Sequence, residues 1–147
     1  MYKKILVPVD GSETSRRGLD EAIQLAPDNS AKLRLVHVVN TAVVAVEYPG
    51  GSPTDDVSDR LRDNGEAVMK GAADIVSRSG LTAETVVLGT PIDNTGELIV
   101  HQATEWPADI IVMGTHGRRG LPRVVLGSNA EYVLRHTSVP VLLVRKS

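Results

Sequence analysis

Asp109-Ile110-Ile111-Val112-Met113-Gly114-Thr115-His116-Gly117-Arg118-Arg119-Gly120-Leu121-Pro122-Arg123-Val124-Val125-Leu126-Gly127-Ser128-Asn129 is the stretch whose reading decides the fold. After Asp109 the chain runs through four apolar residues, which read as a strand buried on both faces. A loop follows that carries four glycines and the arginines Arg118, Arg119 and Arg123. A helix is then expected to start near Gly127 and run to His136. Strand, glycine-rich turn and helix in that order is how α/β proteins hold phosphate. Glycine lets backbone approach the ligand, and the helix start offers unpaired N–H groups at the positive end of its dipole.

Working outward, the same alternation fills the chain. Lys4–Val9 is a near-continuous apolar run and reads as strand one. Leu19, Ala22, Ile23 and Ala26 recur at helical spacing behind the candidate caps Ser12 and Ser15. Lys32–Val39 reads as strand two. Asp56–Ser79 reads as a helix closed by Gly80, weakened locally by Gly65 and Gly71. Ala83–Leu88 reads as strand three. A helix is expected after Asn94, whose spacing to Glu97 suits a capping box. Asp109–Met113 and Val139–Val144 are strands four and five. This pattern predicts an α/β fold of the doubly wound, Rossmann-like kind, with a mainly parallel five-stranded sheet and helices on both faces. Residues 1–147 are expected to form a single nucleotide-binding domain, since no linker divides them. Asn40–Thr54, broken by Pro49, Gly50, Gly51 and Pro53, is long for a connection. It reads equally as a lid or partner surface and as a variable surface loop.

Gly114, Gly117 and Gly127-Ser128 fit the spacing G-x2-G-x9-G-S/T. That spacing resembles the ATP-binding signature of the universal stress protein family. Ile5-Leu6-Val7-Pro8-Val9-Asp10-Gly11-Ser12 resembles the family's first strand and turn, Leu35–Val39 its second strand, and Val139–Val144 its last. The resemblance spans nearly the whole chain. It implies the strand order 3-2-1-4-5, which makes strands one and four neighbours at the point where the winding reverses. Ligands of such sheets bind there, at the carboxyl ends of the strands. The resemblance also implies ATP as ligand, nucleotide contact at Asp10, an adenine contact at Val38, and homodimers.

The candidate nucleotide-binding residues are Pro8, Val9, Asp10, Val38, Met113, Gly114, His116, Gly117, Arg118, Gly127, Ser128 and Asn129. Pro8 breaks a rule, because proline cannot donate to a central ladder; it fits where pairing ends and the chain turns into a site. Asp10 reads both as an acceptor for ribose or adenine and as a turn-forming carboxylate ahead of Gly11-Ser12. His116 reads as a ligand-loop residue and His37 as a structural one. At most one of the three loop arginines, with Arg118 the candidate, is expected to touch phosphate.

Other chemistries lack their signatures. There is no G-x4-G-K-S/T loop, no G-x-G-x-x-G after strand one and no G-x-S-x-G elbow. His37, His101, His116 and His136 have no metal-ligand spacing, so no dedicated metal site is expected; Mg²⁺ can accompany ATP through phosphate oxygens and water. A nucleotide-dependent stress-response or regulatory module is therefore the expected function, with a slow ATPase or other nucleotide-processing enzyme as the alternative. A net charge of −2 argues against nucleic-acid binding. Without cysteine there are no disulfides, and no apolar run nears the ~18 residues of a membrane span. The apolar stretch after Met1-Tyr2-Lys3-Lys4 is too short for a signal peptide, so a cytoplasmic location is the default. Val139–Val144 would form an apolar sheet edge, which predicts a homodimer pairing two such edges across a twofold axis.

Overall fold

Strands and helices alternate through the computed structural model, which describes residues 1–27, 30–42, 55–116 and 126–146. In chain order these are β1 (Lys4–Pro8), α1 (Glu13–Gln24), β2 (Lys32–Asn40), α2 (Asp55–Arg78), β3 (Ala83–Thr90), α3 (Thr95–Glu105), β4 (Ile110–Gly114), α4 (Ser128–His136) and β5 (Val141–Val144). The sheet is parallel throughout, with the order β3-β2-β1-β4-β5. The fold class and strand order therefore match the expectation. No helix among the described residues is long and apolar enough to cross a membrane.

Period-two alternation divides each strand between two cores. Ile5, Val7, Val9, Leu33, Leu35, Ile110 and Val112 pack with Leu19 and Ala22 of α1 and Met69, Ala72 and Val76 of α2. Leu6, Val36, Ile111 and Met113 pack on the other face with Ile99 and Ala103 of α3, Ala130 and Val133 of α4, and Trp106. The central residues Ile5, Leu6, Val7, Leu35, Ile111 and Val112 have no exposed surface. Aliphatic side chains fill the space that phenylalanine, absent from the sequence, fills elsewhere.

Three local details correct the expected elements. β3 runs two residues further, to Thr90, because β2 continues to Asn40 and the two pair residue for residue to that point. β5 begins at Val141 rather than Val139; the Pro140 carbonyl accepts from Ile111 N–H just ahead of it. The capping box at Asn94 does not form. Asn94 is the N-cap of α3 but makes no side-chain cap bond; its Oδ1 instead accepts from Thr90 Oγ1 at 2.5 Å. Ser12, one of the two candidates, caps α1 by accepting from Ser15 N–H.

Gly65 sits inside α2 for a reason invisible in the sequence. A Cβ there would lie 2.8 Å from Cδ2 of His37 and 2.9 Å from Val39, so the helix presses directly on β2. His37 in turn is buried and its Nδ1 lies 2.7 Å from the Val9 carbonyl, tying β2 to the end of β1.

Candidate functional site

β1 and β4 pair only at Ile5–Ile110 and Leu6–Ile111. Beyond Leu6, β1 pairs with β2 alone, as far as Pro8–Val36. Beyond Ile111, β4 pairs with β5 alone, as far as Gly114–Val144. The sheet thus splits at the switch point and opens a cleft between the carboxyl ends of its two central strands. Pro8 is accommodated by this split. In a parallel strand, neighbouring residues direct their N–H groups to opposite sides. Val9 N–H donates to Val36 on the β2 side, so the nitrogen of Pro8 faces the β4 side, where the ladder has ended.

The first lip of the cleft is the turn after β1. Asp10 Oδ1 accepts from Ser12 N–H at 2.8 Å, and Asp10 N–H donates to Ser15 Oγ at 3.1 Å. Gly11 sits at φ +83°, where an L side chain would be strained. The carboxylate therefore does hold the turn. Val9 lies behind it: its side chain is in the core under α1 and α2, its N–H is given to Val36, and its carbonyl meets His37.

The second lip is the turn after β4, and it is seated on the first. Thr14 Oγ1 donates to the His116 carbonyl. A Cβ on Gly114 would stand 2.7 Å from the Thr14 carbonyl carbon, a separation that real side chains do not tolerate. Gly114 is thus needed for α1 to reach β4, whatever else it does. Thr115 is 5% exposed; its N–H donates to the Val144 carbonyl, and its own carbonyl accepts from Gly127 N–H at 2.7 Å. A Cβ on Gly127 would lie 2.9 Å from that same Thr115 oxygen and 3.4 Å from His116 Cα. The start of α4 is therefore folded back onto the end of β4.

Two polar features at this lip lack partners of the usual kind. The N-cap of α4, Gly127, makes no side-chain cap bond, and Ser128 and Asn129 are exposed in the helix's first turn. Nε2 of His116 is buried without a hydrogen-bond partner among the described residues, while Nδ1 of the same ring lies 2.9 Å from Thr115 Oγ1. Val38 and Met113 share the sheet face that packs against α3 and α4. The structure therefore brings Pro8, Asp10, Val38, Met113, Gly114, His116, Gly127, Ser128 and Asn129 to one end of the sheet. Gly117 and Arg118 lie outside the described residues, as do Arg119 and Arg123.

Sequence reasoning missed Thr14, whose hydroxyl joins the two lips, and the buried hydroxyl of Thr115 beside His116. The dense run Ser12-Glu13-Thr14-Ser15 was the available signal. A hollow of roughly 490 Å³ lies elsewhere, at the ends of β2 and β3 beside Arg62 and Glu66 of α2. No group of three His, Asp or Glu residues that could hold a metal occurs among the described residues.

A model of the universal stress protein family matches residues 1–145. A universal stress protein of Methanocaldococcus jannaschii is 35% identical over 147 residues, which cover 99% of this chain and 84% of that protein. Among solved structures, hypothetical protein MJ0577 superposes with a TM-score of 0.84 at 30% identity, over 100% of this chain and 98% of that one. A universal stress protein in complex with cAMP gives a TM-score of 0.72 at 27% identity, covering 99% of each chain. One from Archaeoglobus fulgidus in complex with dAMP gives 0.69 at 25% identity, over 97% of this chain and 98% of that one.

Proposed function

Because the chain belongs to the universal stress protein family, we propose that it binds an adenine nucleotide between the carboxyl ends of β1 and β4. Its output is then a nucleotide-dependent conformation or assembly that serves a stress response, not a released product. The observation that carries this reading is the meeting of a split sheet with a bare helix start. β1 and β4 part after Leu6 and Ile111, and α4 opens beside that gap at a glycine without a side-chain cap. An anion there would meet unpaired N–H groups and the positive end of the helix dipole. The complexes of related proteins with cAMP and dAMP support an adenine nucleotide as the ligand class.

In this proposal the ligand is ATP. Asp10 and Val38 face its ribose and adenine, with Pro8, Val9 and Met113 forming the adjoining wall. The backbone of Gly114, Gly117, Gly127, Ser128 and Asn129, with His116 and Arg118, receives the phosphates. The residues fit such a group on one count: His116 Nε2 is a buried polar atom that lacks a partner among the described residues. Mg²⁺ would be carried by phosphate oxygens and water. The chain works as a single domain in the cytoplasm and does not turn its ligand over at an enzyme's rate, for it offers neither a P-loop lysine nor an evident general base.

Mass spectrometry of the small molecules released from freshly purified protein tests this reading. An adenine nucleotide is expected, with ATP foremost. Protein that neither carries nor takes up an adenine nucleotide contradicts it, and steady-state phosphate release in the usual enzyme range of about 1–10³ s⁻¹ contradicts the non-enzymatic part.

A twofold dimer through Val139–Val144 belongs to the same proposal. Among the described residues β5 pairs only with β4 and forms the sheet's edge. Leu142 is 37% exposed there, next to a shallow hollow bounded by Glu21 and residues 142–146. Light scattering should give twice the chain mass; a monomer at micromolar concentration, with or without ATP, contradicts the dimer.

A further inference from the structure

Among the described residues the Thr115 hydroxyl meets one partner, and that partner decides how His116 can serve a ligand. Thr115 is 5% exposed, and its Oγ1 lies 2.9 Å from Nδ1 of His116. Two proton arrangements satisfy that distance. If Nδ1 carries the ring proton, it donates to Oγ1; the buried hydroxyl hydrogen is then left without an acceptor and Nε2 without a donor. If the hydroxyl donates to Nδ1, its hydrogen is satisfied and the ring proton sits on Nε2. The second arrangement leaves a single unmet group, the Nε2–H, where the first leaves two; among the described residues Nε2 has no partner in either case. Burial makes the difference costly, since each unpaired buried donor carries its desolvation penalty.

We propose that Thr115 is a positioning residue that holds neutral His116 as its Nε2–H tautomer, so that the imidazole presents one N–H donor to a phosphate oxygen of the bound nucleotide. This rests on the nucleotide reading given above and names the regulation of donor identity at that site. The backbone supports the arrangement from three sides. Thr14 Oγ1 holds the His116 carbonyl, Val144 holds Thr115 N–H, and Gly127 N–H holds the Thr115 carbonyl. The Thr115–His116 pair is therefore fixed against both α1 and the first turn of α4, and the hydroxyl has little freedom to turn elsewhere. An imidazole that donates while neutral suits an anion without requiring a charged ring in the empty site.

Nitrogen-15 NMR of the histidine ring in ligand-free wild type, in mildly alkaline buffer where an ordinary imidazole is neutral, reads the tautomer directly. Nε2–H is expected at His116, with the Nε2 resonance shifting when ATP is added. Thr115→Ser should keep the tautomer and bind ATP within about twofold of wild type. Thr115→Val should lose the single tautomer and weaken ATP binding roughly fivefold. His116→Phe should weaken it about tenfold or more, as loss of a hydrogen bond to a charged group does. An Nδ1–H tautomer in wild type overturns the proposal, even if Thr115→Val does not fold. So does a folded Thr115→Val that binds ATP as wild type does, or an Nε2 resonance that ATP leaves in place. Wild type that takes up no adenine nucleotide while showing Nε2–H overturns the nucleotide reading and the phosphate half of this proposal, leaving Thr115 as the source of the tautomer.

Discussion

At the amino ends of the strands, polar groups answer one another. The cations of Lys4 and Arg34 lie 5.5 and 4.7 Å from the centre of the Trp106 ring. Arg34 also reaches Glu84 at 2.6 Å across the β2–β3 pair. Asp109 Oδ2 accepts from the backbone N–H groups of both Lys3 and Lys4. At the carboxyl ends, by contrast, the central strands separate, a helix starts at a glycine without a side-chain cap bond, and one imidazole nitrogen is buried without a partner among the described residues. Both ends are built from the same strands, so the difference lies in the residues that flank them. One end closes its own hydrogen bonds, and in the proposal made above the other holds some back for a ligand.

That contrast is not absolute, and the largest expected effect shows where it breaks. Gly114 belongs to the ligand end, yet its missing side chain is what lets Thr14 and the start of α1 sit on β4. Gly114→Val should therefore cost about 3 kcal/mol of stability with no ligand present, the upper range for overfilling a packed site. Chemical denaturation measures it. A variant as stable as wild type would mean that the two lips are not seated on each other.

Asp10 sharpens the comparison, because it serves both purposes at once. Its carboxylate holds the Ser12 N–H, and the proposal also gives it a nucleotide hydroxyl or base. Asp10→Ala should weaken ATP binding by about 2 kcal/mol and lower stability by about 1 kcal/mol, in the range of a lost cap. Calorimetry and melting of the same preparation separate the two. Lost stability with unchanged affinity would leave Asp10 with the turn alone.

The smallest effect is expected at the closed end. The N–H groups of Lys3 and Lys4 hold the Asp109 carboxyl below its ordinary pKa. A lowered folded-state pKa stabilises above the unfolded value and loses that contribution as pH falls through the folded one. Asp109→Asn should lower the Tm slightly at neutral pH, and the gap from wild type should shrink in acid below the ordinary carboxylate range. A gap that widens in acid contradicts this assignment.

Much of this organisation was legible in the chain. Apolar runs marked the strands. The strand–glycine–helix sequence at Asp109–Asn129 located the carboxyl end that matters. What stayed hidden depends on distant partners. Gly65 and Gly114 look like helix breaker and phosphate turn until His37 and Thr14 are seen against them. Asn94 has capping-box spacing, but Thr90, four residues earlier at the end of β3, takes its side chain instead. Thr115 and His116 are adjacent in sequence, yet only burial of the hydroxyl turns that adjacency into a constraint on a proton. Gly117 and Arg118 lie outside the described residues, so their part in the site stays with the proposal.

The central claim is that the opened carboxyl end receives a nucleotide against the start of α4. Titrating ATP into wild type and Gly127→Val by calorimetry tests it most directly, since valine adds bulk where the helix start meets the Thr115 carbonyl. The account predicts saturable binding by wild type and at least a tenfold loss in the folded variant. Equal affinity in both, with the variant's fold intact, would contradict it.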